Sequence, residues 1–209
     1  MKPLAGAHVR QPTRRALAKQ ATREKILSSA RDLFAEKGYE GATIRDIASA
    51  AGMSTGAVFA SFADKNELFS EILTDRTATL VATMREAEFG GSVDEGLVNL
   101  FVGGYEFNFA DLPLLQAAVS VSWSPEHGAE LRRKGGRGQI VSVVRDMLDR
   151  GVQNGDLLIT TPTDRVALML WDLFLASLRP ATIDSWSLDE MRQTMEGHID
   201  VVLAGFRAK

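Results

Sequence analysis

The sequence predicts an all-α protein of about nine helices, built as an N-terminal three-helix unit followed by a longer helical body. Three observations predict it. Apolar residues recur at three- and four-residue spacing over most of the chain, and no segment alternates apolar and polar residues as a half-buried strand would. Helix-start signals, a capping residue followed three positions later by an acid, recur as Thr43/Asp46, Asp64/Glu67, Ser92/Glu95 and Ser187/Glu190. Residues 43–62, TIRDIASAAGMSTGAVFASF, place two short helical patterns on either side of a Gly-containing break, which is the spacing of a helix-turn-helix and equally, on this segment alone, of a structural αα-hairpin.

In chain order, residues 1–21 contain Pro3, Gly6 and Pro12 without sustained apolar periodicity, so they are expected to form a disordered arm. Residues 22–37 give an amphipathic helix with Ile26, Leu27, Ala30, Leu33 and Phe34 on one face, capped by Thr22 and ended by Gly38. Thr43 opens the next helix, with Ile44, Ile47 and Ala48 as its apolar stripe. Gly52 suits the left-handed turn that follows, and Ser54 caps a helix beginning Thr55, Gly56, Ala57. Val58, Phe59 and Phe62 read as its apolar anchors. A long helix from Asp64 carries Leu68, Phe69, Ile72, Leu73, Leu80, Val81 and Met84 and should stop near Phe89, before Gly90-Gly91.

The second half continues as helices opening at Ser92, at Asp111-x-Pro113 and at Ser124-Pro125, the last an N-cap followed by Pro. Gly135, Gly136 and Gly138 loosen that segment before Ile140, Val143, Val144, Met147 and Leu148 resume it. Helices at about 163–179 and 187–207 close the chain. The first of these, TDRVALMLWDLFLASLR, is apolar all round apart from Asp172 and Ser177. A helix without a polar face is buried on every side. Here the expected cover is a second copy of the chain, the 163–179 and 187–207 helices of two copies forming a four-helix bundle. A central helix in a monomeric core is the other way to meet the same demand. The expected division is therefore 1–21 arm, 22–68 helix-turn-helix domain, and 69–209 ligand-binding and dimerisation domain.

Composition narrows the function. The chain has 209 residues and no Cys, which excludes thiolate catalysis, disulfides and Cys-based metal or redox sensing. No apolar stretch has the form of a signal peptide or a membrane span, so a cytoplasmic location and no membrane partner are expected. Net charge is −3, but it is unevenly placed. Residues 1–25 hold seven cations against Glu24, a net of +6, while the remainder holds 17 positive and 26 negative residues, a net of −9. A basic end on an acidic body fits a protein that meets phosphate at one end only. His127 and His198 have no metal-ligand spacing. The KGGRG run at 134–138 lacks the strand before it and the Lys-Ser/Thr after it that a phosphate loop needs. No metal and no cofactor are expected. No Ser-His-Asp constellation is visible either, so the chain is not expected to be an enzyme.

Residues 22–73 resemble the N-terminal domain of the TetR family of bacterial transcriptional regulators. The pieces that carry the resemblance are LFAEKGYEGATIRDIA and AAGMSTGAVFASFADKNELF. They present a Gly-Tyr pair, a Thr before the second helix, an Ala-Gly turn, a Gly early in the third helix, an aromatic-x-x-Phe, and Lys then Leu opening the fourth, all in order. RGVQNGDLLITTPTDRVALMLWDLF is similar, more loosely, to the segment leading into that family's dimer helix. Two positions depart: Phe59 stands where the family usually has Tyr, and Ser61 where it has His or Tyr. Phe59 has no hydroxyl for a phosphate, so phosphate contact is expected to shift to Lys65 and the basic arm.

Position by position, the resemblance implies DNA contact by Thr43, Arg45, Ser54, Thr55, Gly56, Ala57, Phe59, Ser61 and Lys65. Thr43 lies at a helix N-terminus suited to phosphate; Arg45 can fork onto guanine if it faces the groove; Gly56 lets the backbone approach closely. Phe59 can equally be packing. For a small-molecule effector, Phe107, Phe109, Trp123, Met147, Met169 and Trp171 are large enough to line an apolar cavity between helices, with Asp172 as a polar contact; as ordinary core residues they need no ligand. The implied protein is a dimeric repressor on double-stranded DNA with a palindromic operator, released by an unidentified small molecule. The alternatives are a ligand-independent DNA binder, or a helical small-molecule-binding protein or enzyme.

Overall fold

A computed structural model describes residues 13–124 and 136–208. Among them nine helices are formed: α1 (Arg14–Gly41), α2 (Ile44–Ala50), α3 (Thr55–Phe59), α4 (Lys65–Arg85), α5 (Val93–Phe109), α6 (Leu112–Trp123), α7 (Arg137–Asn154), α8 (Thr163–Ile183) and α9 (Leu188–Leu203). One antiparallel bridge, Leu157 to Arg207, ties the α7–α8 connection to the end of the chain. Ser124 follows the end of α6; the helix expected to start from Pro125, with His127 and Gly135, lies outside the described residues.

Local capping sets most boundaries. Thr43 and Asp46 form a reciprocal capping box, as do Ser187 and Glu190. Asp64 accepts from the Glu67 N–H at 2.7 Å and Ser92 from the Glu95 N–H at 3.3 Å. Each bond satisfies an amide that would otherwise be orphaned at a helix start.

Several boundaries differ from the sequence expectation: the last two helices end at Ile183 and Leu203 rather than about 179 and 207. α1 begins at Arg14, not Thr22, with Thr13 accepting from the Ala16 N–H at 3.2 Å. The segment RRALAKQA is rich in strong helix formers, and residues 14–21 are exposed. An exposed helix needs no apolar stripe, which is why periodicity did not reveal it. α1 is interrupted at Gly38, whose φ of +71° is the left-handed break expected there. α4 ends at Arg85, one turn short of Phe89.

Two apolar clusters form the interior. The first joins Ile26, Ala30 and Phe34 of α1 to Ile47, Val58, Phe62, Leu68 and Phe69. Phe34, Tyr39 and Phe69 pack as an aromatic triad with centroids 4.9–5.7 Å apart, and each such pair adds about 0.5–1.5 kcal/mol beyond area burial. The second cluster contains Leu97, Phe101, Tyr105, Val144, Leu170, Phe174, Met191 and Met195. α4 contributes to both, Leu68 to Leu73 below and Leu80 to Met84 above. α6 also sends Leu114, Ala117 and Val121 into the first cluster, packing on α1. That long-range docking has no signature in the spacing of α6 itself.

α8 is not buried on all sides. Val166, Ala167, Leu170, Trp171, Phe174 and Leu178 face the core, while Leu168, Met169 and Leu175 are exposed on the opposite side. Asp172 is on that exposed side and pairs with Arg137 at 3.0 Å. Val201, on α9, is 77% exposed. Among the described residues, no helix is long and apolar enough to cross a membrane.

Candidate nucleic-acid interface

The α2–α3 hairpin is closed by hydrogen bonds the sequence specifies locally. Gly52, at φ +64°, donates to Ser49 O at 3.0 Å, and Met53 donates to Ala48 O at 2.8 Å. This pair of bonds is the Schellman stop, and glycine supplies the positive φ it requires. Ser54 then accepts from the Ala57 N–H at 3.2 Å, starting α3 two residues after the turn. Val58 and Phe62 are buried beneath. Above them, Ser54, Thr55 and Gly56 are exposed, Ala57 is half-buried, and Thr43 and Arg45 of the preceding helix are exposed as well. Arg45 makes no hydrogen bond or salt bridge with any described residue, so its guanidinium is available. Polar groups and short side chains therefore cover a buried apolar floor, and two helix N-termini present their amides on the same unit.

Asp46 illustrates the electrostatics of that unit. The Thr43 hydroxyl and backbone N–H hold its carboxyl below the usual range, with weaker help from Lys37 and Arg45. It is committed to the cap at neutral pH and leaves the outward charge of α2 to Arg45.

Three sequence-assigned residues have different surroundings from those expected. Phe59 is 55% exposed and not an anchor of the core; the inward residues are Val58 of the five-residue α3 and Phe62, three positions beyond its end. Ser61 is half-buried, and its hydroxyl donates to Ala57 O at 3.4 Å. Lys65 is half-buried rather than an open point charge. Its Nζ donates to Tyr39 O at 2.8 Å and Ala42 O at 3.2 Å and lies 4.2 Å from the Tyr39 ring centroid. An ammonium has three protons, so Lys65 spends two on the corner between α1 and α2.

The sequence also gave no sign of Arg23 as a strut. Its Nε donates to Glu71 Oε1 at 2.8 Å, a second bond reaches Glu71 Oε2, and Nη1 donates to the Ser61 carbonyl. The guanidinium lies 4.0 Å over the Phe62 ring. Arg23 thus fixes the end of α3 against α1 and α4. Its partners are 38 and 48 residues away, beyond any local pattern.

On the C-terminal side the expected effector residues do not share one wall. Met147 and Trp171 are in the core, and Phe107 and Phe109 are half-buried at its edge. Met169 and Asp172 lie on the outer face of α8. The side chain of Trp123 lies outside the described residues. An open groove of about 470 Å³ runs instead between α5 and α9, lined by Asp94, Glu95, Asn99, Arg192, Glu196 and Arg207 among others. Arg207 bridges it, to Asp94 at 2.6 Å and to Asp200 at 2.9 Å.

Two polar residues of this half went unassigned from sequence. Arg76 of α4 pairs with Asp111 at 3.3 Å, donates to Phe107 O at 3.4 Å and stacks over the Phe107 ring. Burial lowers its pKa, against the pull of Asp111. Tyr105 is fully buried, its ring stacked on Phe174 at 4.6 Å, and its hydroxyl has no hydrogen-bond partner among the described residues. Burial pushes this phenol up to about 12, with the nearby Ser177 hydroxyl opposing.

Comparison with known proteins places this geometry. Residues 26–72 match the family model described as bacterial regulatory proteins, tetR family. The chain is 45% identical over 65 residues to the HTH-type transcriptional repressor AcnR of Corynebacterium efficiens, covering 31% of this chain and 35% of that one. The chain thus matches about a third of the length of the AcnR-type relatives. A longer and weaker likeness, 28% over 163 residues, joins it to the HTH-type transcriptional repressor KstR2 of Mycolicibacterium smegmatis, covering 75% and 78% of the two chains. The fold as a whole is shared with a TetR-family regulator structure from Syntrophomonas wolfei, with TM-score 0.73 at 20% identity over 88% of this chain and 96% of that one.

Proposed function

Because the chain belongs to the TetR family of bacterial regulatory proteins, we infer that it is a DNA-binding transcriptional repressor, a homodimer that occupies a palindromic operator and leaves it when a small molecule binds the C-terminal domain. The observation that carries the DNA reading is the exposed start of α3. Ser54, Thr55 and Gly56 stand outward over buried Val58 and Phe62, beside Thr43 and the unpaired Arg45. In this arrangement α3 enters the major groove. Arg45 and Thr55 read base edges, and Thr43 and the third proton of Lys65 meet phosphate. Exposed Phe59 offers an apolar face to a thymine methyl.

The dimer reading rests on the outer faces of α8 and α9. Leu168, Met169 and Leu175 of α8 and Val201 of α9 are apolar and exposed on two helices that pack side by side. Two copies bring these faces together as a four-helix bundle. Met169 and Asp172 then belong to the interface rather than to an effector site. The effector, apolar or amphipathic, is taken by the core side of α5 to α8, among Phe107, Phe109, Met147 and Trp171. It acts on α3 through α4, which spans both clusters, and through α6, which is docked on α1. A protein with this role works in the cytoplasm.

Selection of bound duplexes from a random pool by the full-length protein tests the reading. The expected result is an inverted repeat whose half-sites lie one helical turn or a multiple apart. Enrichment of no inverted repeat refutes it.

A further inference from the structure

The described part of α1 extends well beyond the helix-turn-helix core. Three neighbouring residues give its direction. Arg31 acts electrostatically on Arg76 at the α5–α6 corner. Lys25 lies with its Nζ beside Gly52 in the α2–α3 turn, and Arg23 holds Ser61 at the end of α3. Passing from Arg31 to Arg23, the helix therefore moves away from the C-terminal body to the level of the recognition helix. From Arg23 to Arg14 it continues without a break in helical geometry, and nine residues at about 1.5 Å each carry it roughly 14 Å further.

Residues 14–21, RRALAKQA, are exposed at every position and belong to neither apolar cluster. They are helical by propensity, by the Thr13 cap and by continuation of a helix already nucleated below. They carry Arg14, Arg15 and Lys19 and no acid. Arg23, the next cation, is spent on Glu71. A helix buried against nothing, projecting past the DNA-facing end and bearing only positive charge, has no packing role.

We propose that this stem is a second DNA-binding site, in which Arg14, Arg15 and Lys19 contact the phosphates of the duplex flanking the segment read by α3. It rests on the reading of the chain as a DNA-binding regulator. The contact is electrostatic and blind to sequence, and it supplies grip where Phe59 lacks a hydroxyl and Lys65 is half committed to backbone carbonyls.

The test compares the full-length protein with a variant carrying Arg14→Gln, Arg15→Gln and Lys19→Gln, a change that preserves helix propensity. Both are titrated by fluorescence anisotropy against the selected operator at several salt concentrations. Each phosphate contact contributes about 0.9 to the slope of log affinity against log salt. Loss of three lowers the slope by about 2.7 for each protomer, so that between 50 and 200 mM salt the variant loses about 40-fold less affinity per protomer than the parent. The base preference and unfolding midpoint stay unchanged, and an Arg14→Lys, Arg15→Lys variant keeps the parental slope. A second arm trims the duplex flanks: trimming weakens the parent and leaves the Gln variant unaffected. A variant slope equal to the parental one, or equal sensitivity of both proteins to trimming, overturns the proposal. If the parent itself selects no operator, the failure belongs to the DNA-binding reading; if it selects one and the slopes agree, the stem alone is refuted.

Discussion

Replacing Lys65 by Met separates scaffold from ligand at the residue where both roles meet. Methionine keeps most of the apolar stem and removes the ammonium. What is lost is two hydrogen bonds, to Tyr39 O at 2.8 Å and Ala42 O at 3.2 Å, and the cation over the Tyr39 ring at 4.2 Å. Charged hydrogen bonds are worth about 1.5–3 kcal/mol each, and a cation–π contact at a partly exposed site about 0.5–1. Lys65 is half-buried, so solvent screens the charge and water can replace it at the freed carbonyls, which reduces the net loss to about 2 kcal/mol. For a chain of this length that corresponds to a fall of about 4–8 °C in Tm if unfolding is one transition. Urea unfolding of the two proteins, followed by helical circular dichroism, measures it. A change below about 0.5 kcal/mol refutes the strut. The same variant titrated against the operator reports the third proton: the salt slope falls by about 0.9 if it meets a phosphate, and stays put if it does not.

Tyr105→Phe removes a buried hydroxyl that has no partner, so at pH 7 we expect the variant to be as stable as the parent or up to about 2 kcal/mol more stable. The phenol's folded pKa is raised to about 12, above its unfolded value near 10. The stability linked to it is therefore fully present below about pH 10 and lost as pH rises through 12, about 2.7 kcal/mol over two units. Stability of the parent should therefore fall away from that of the variant over that window, and a parallel pair of pH profiles refutes the burial argument. Gly151→Ala puts a Cβ 2.6 Å from Val93 Cγ2, where α7 meets the start of α5; a loss of about 1–3 kcal/mol is expected in the same urea assay, and a neutral result contradicts the close approach. Leu168→Glu with Val201→Glu places carboxylates on the exposed faces of α8 and α9 and should yield a monomer by light scattering, with operator affinity reduced; a dimer unchanged in both respects moves the interface elsewhere.

What was legible in the sequence was what a few neighbouring residues decide. The caps at Thr43, Ser54, Asp64, Ser92 and Ser187 formed because each needs only an oxygen and an amide three positions on. The Gly52 stop formed because a Schellman turn is closed within six residues. Residues 14–21 do not show as a helix in the sequence pattern because apolar periodicity detects a helix only through the face it buries, and this one buries none. The sequence leaves Phe59 open between packing and DNA contact because α3 is too short to establish a phase, so Val58, Phe59 and Phe62 look equally inward; the structure places Phe59 outward. The apolar composition of α8 reports a demand for cover and not how it is divided between the chain and a second copy. The structure supplies cover on the Trp171 side alone and leaves Leu168, Met169 and Leu175 outward.

The hardest quantity to take from sequence is how much of a positive charge is free. Seven cations in the first 25 residues suggest a uniformly adhesive end, yet the structure divides those it describes by their partners. Arg23 is neutralised by Glu71 and gives a further N–H to the Ser61 carbonyl, so it shapes the end of α3 while its charge is already met. Lys65 is partly withdrawn in the same way, and Arg76 entirely so, toward Asp111 and Phe107. Each has an acid or a carbonyl brought to it from 23 to 48 residues away, a coincidence of tertiary folding that composition cannot see. Among the described residues, Arg14, Arg15, Lys19 and Arg45 have no such partner, and two positions separate their spare charge: Arg45 on the short helix that presents Thr43, the others on a stem beyond it. An interface built this way divides its labour. On the proposed reading, the few groups that would touch bases are held by internal cations whose own charge is spent, and the unspent charge sits further out, where position tolerances are loose and a flexible arginine or lysine is enough.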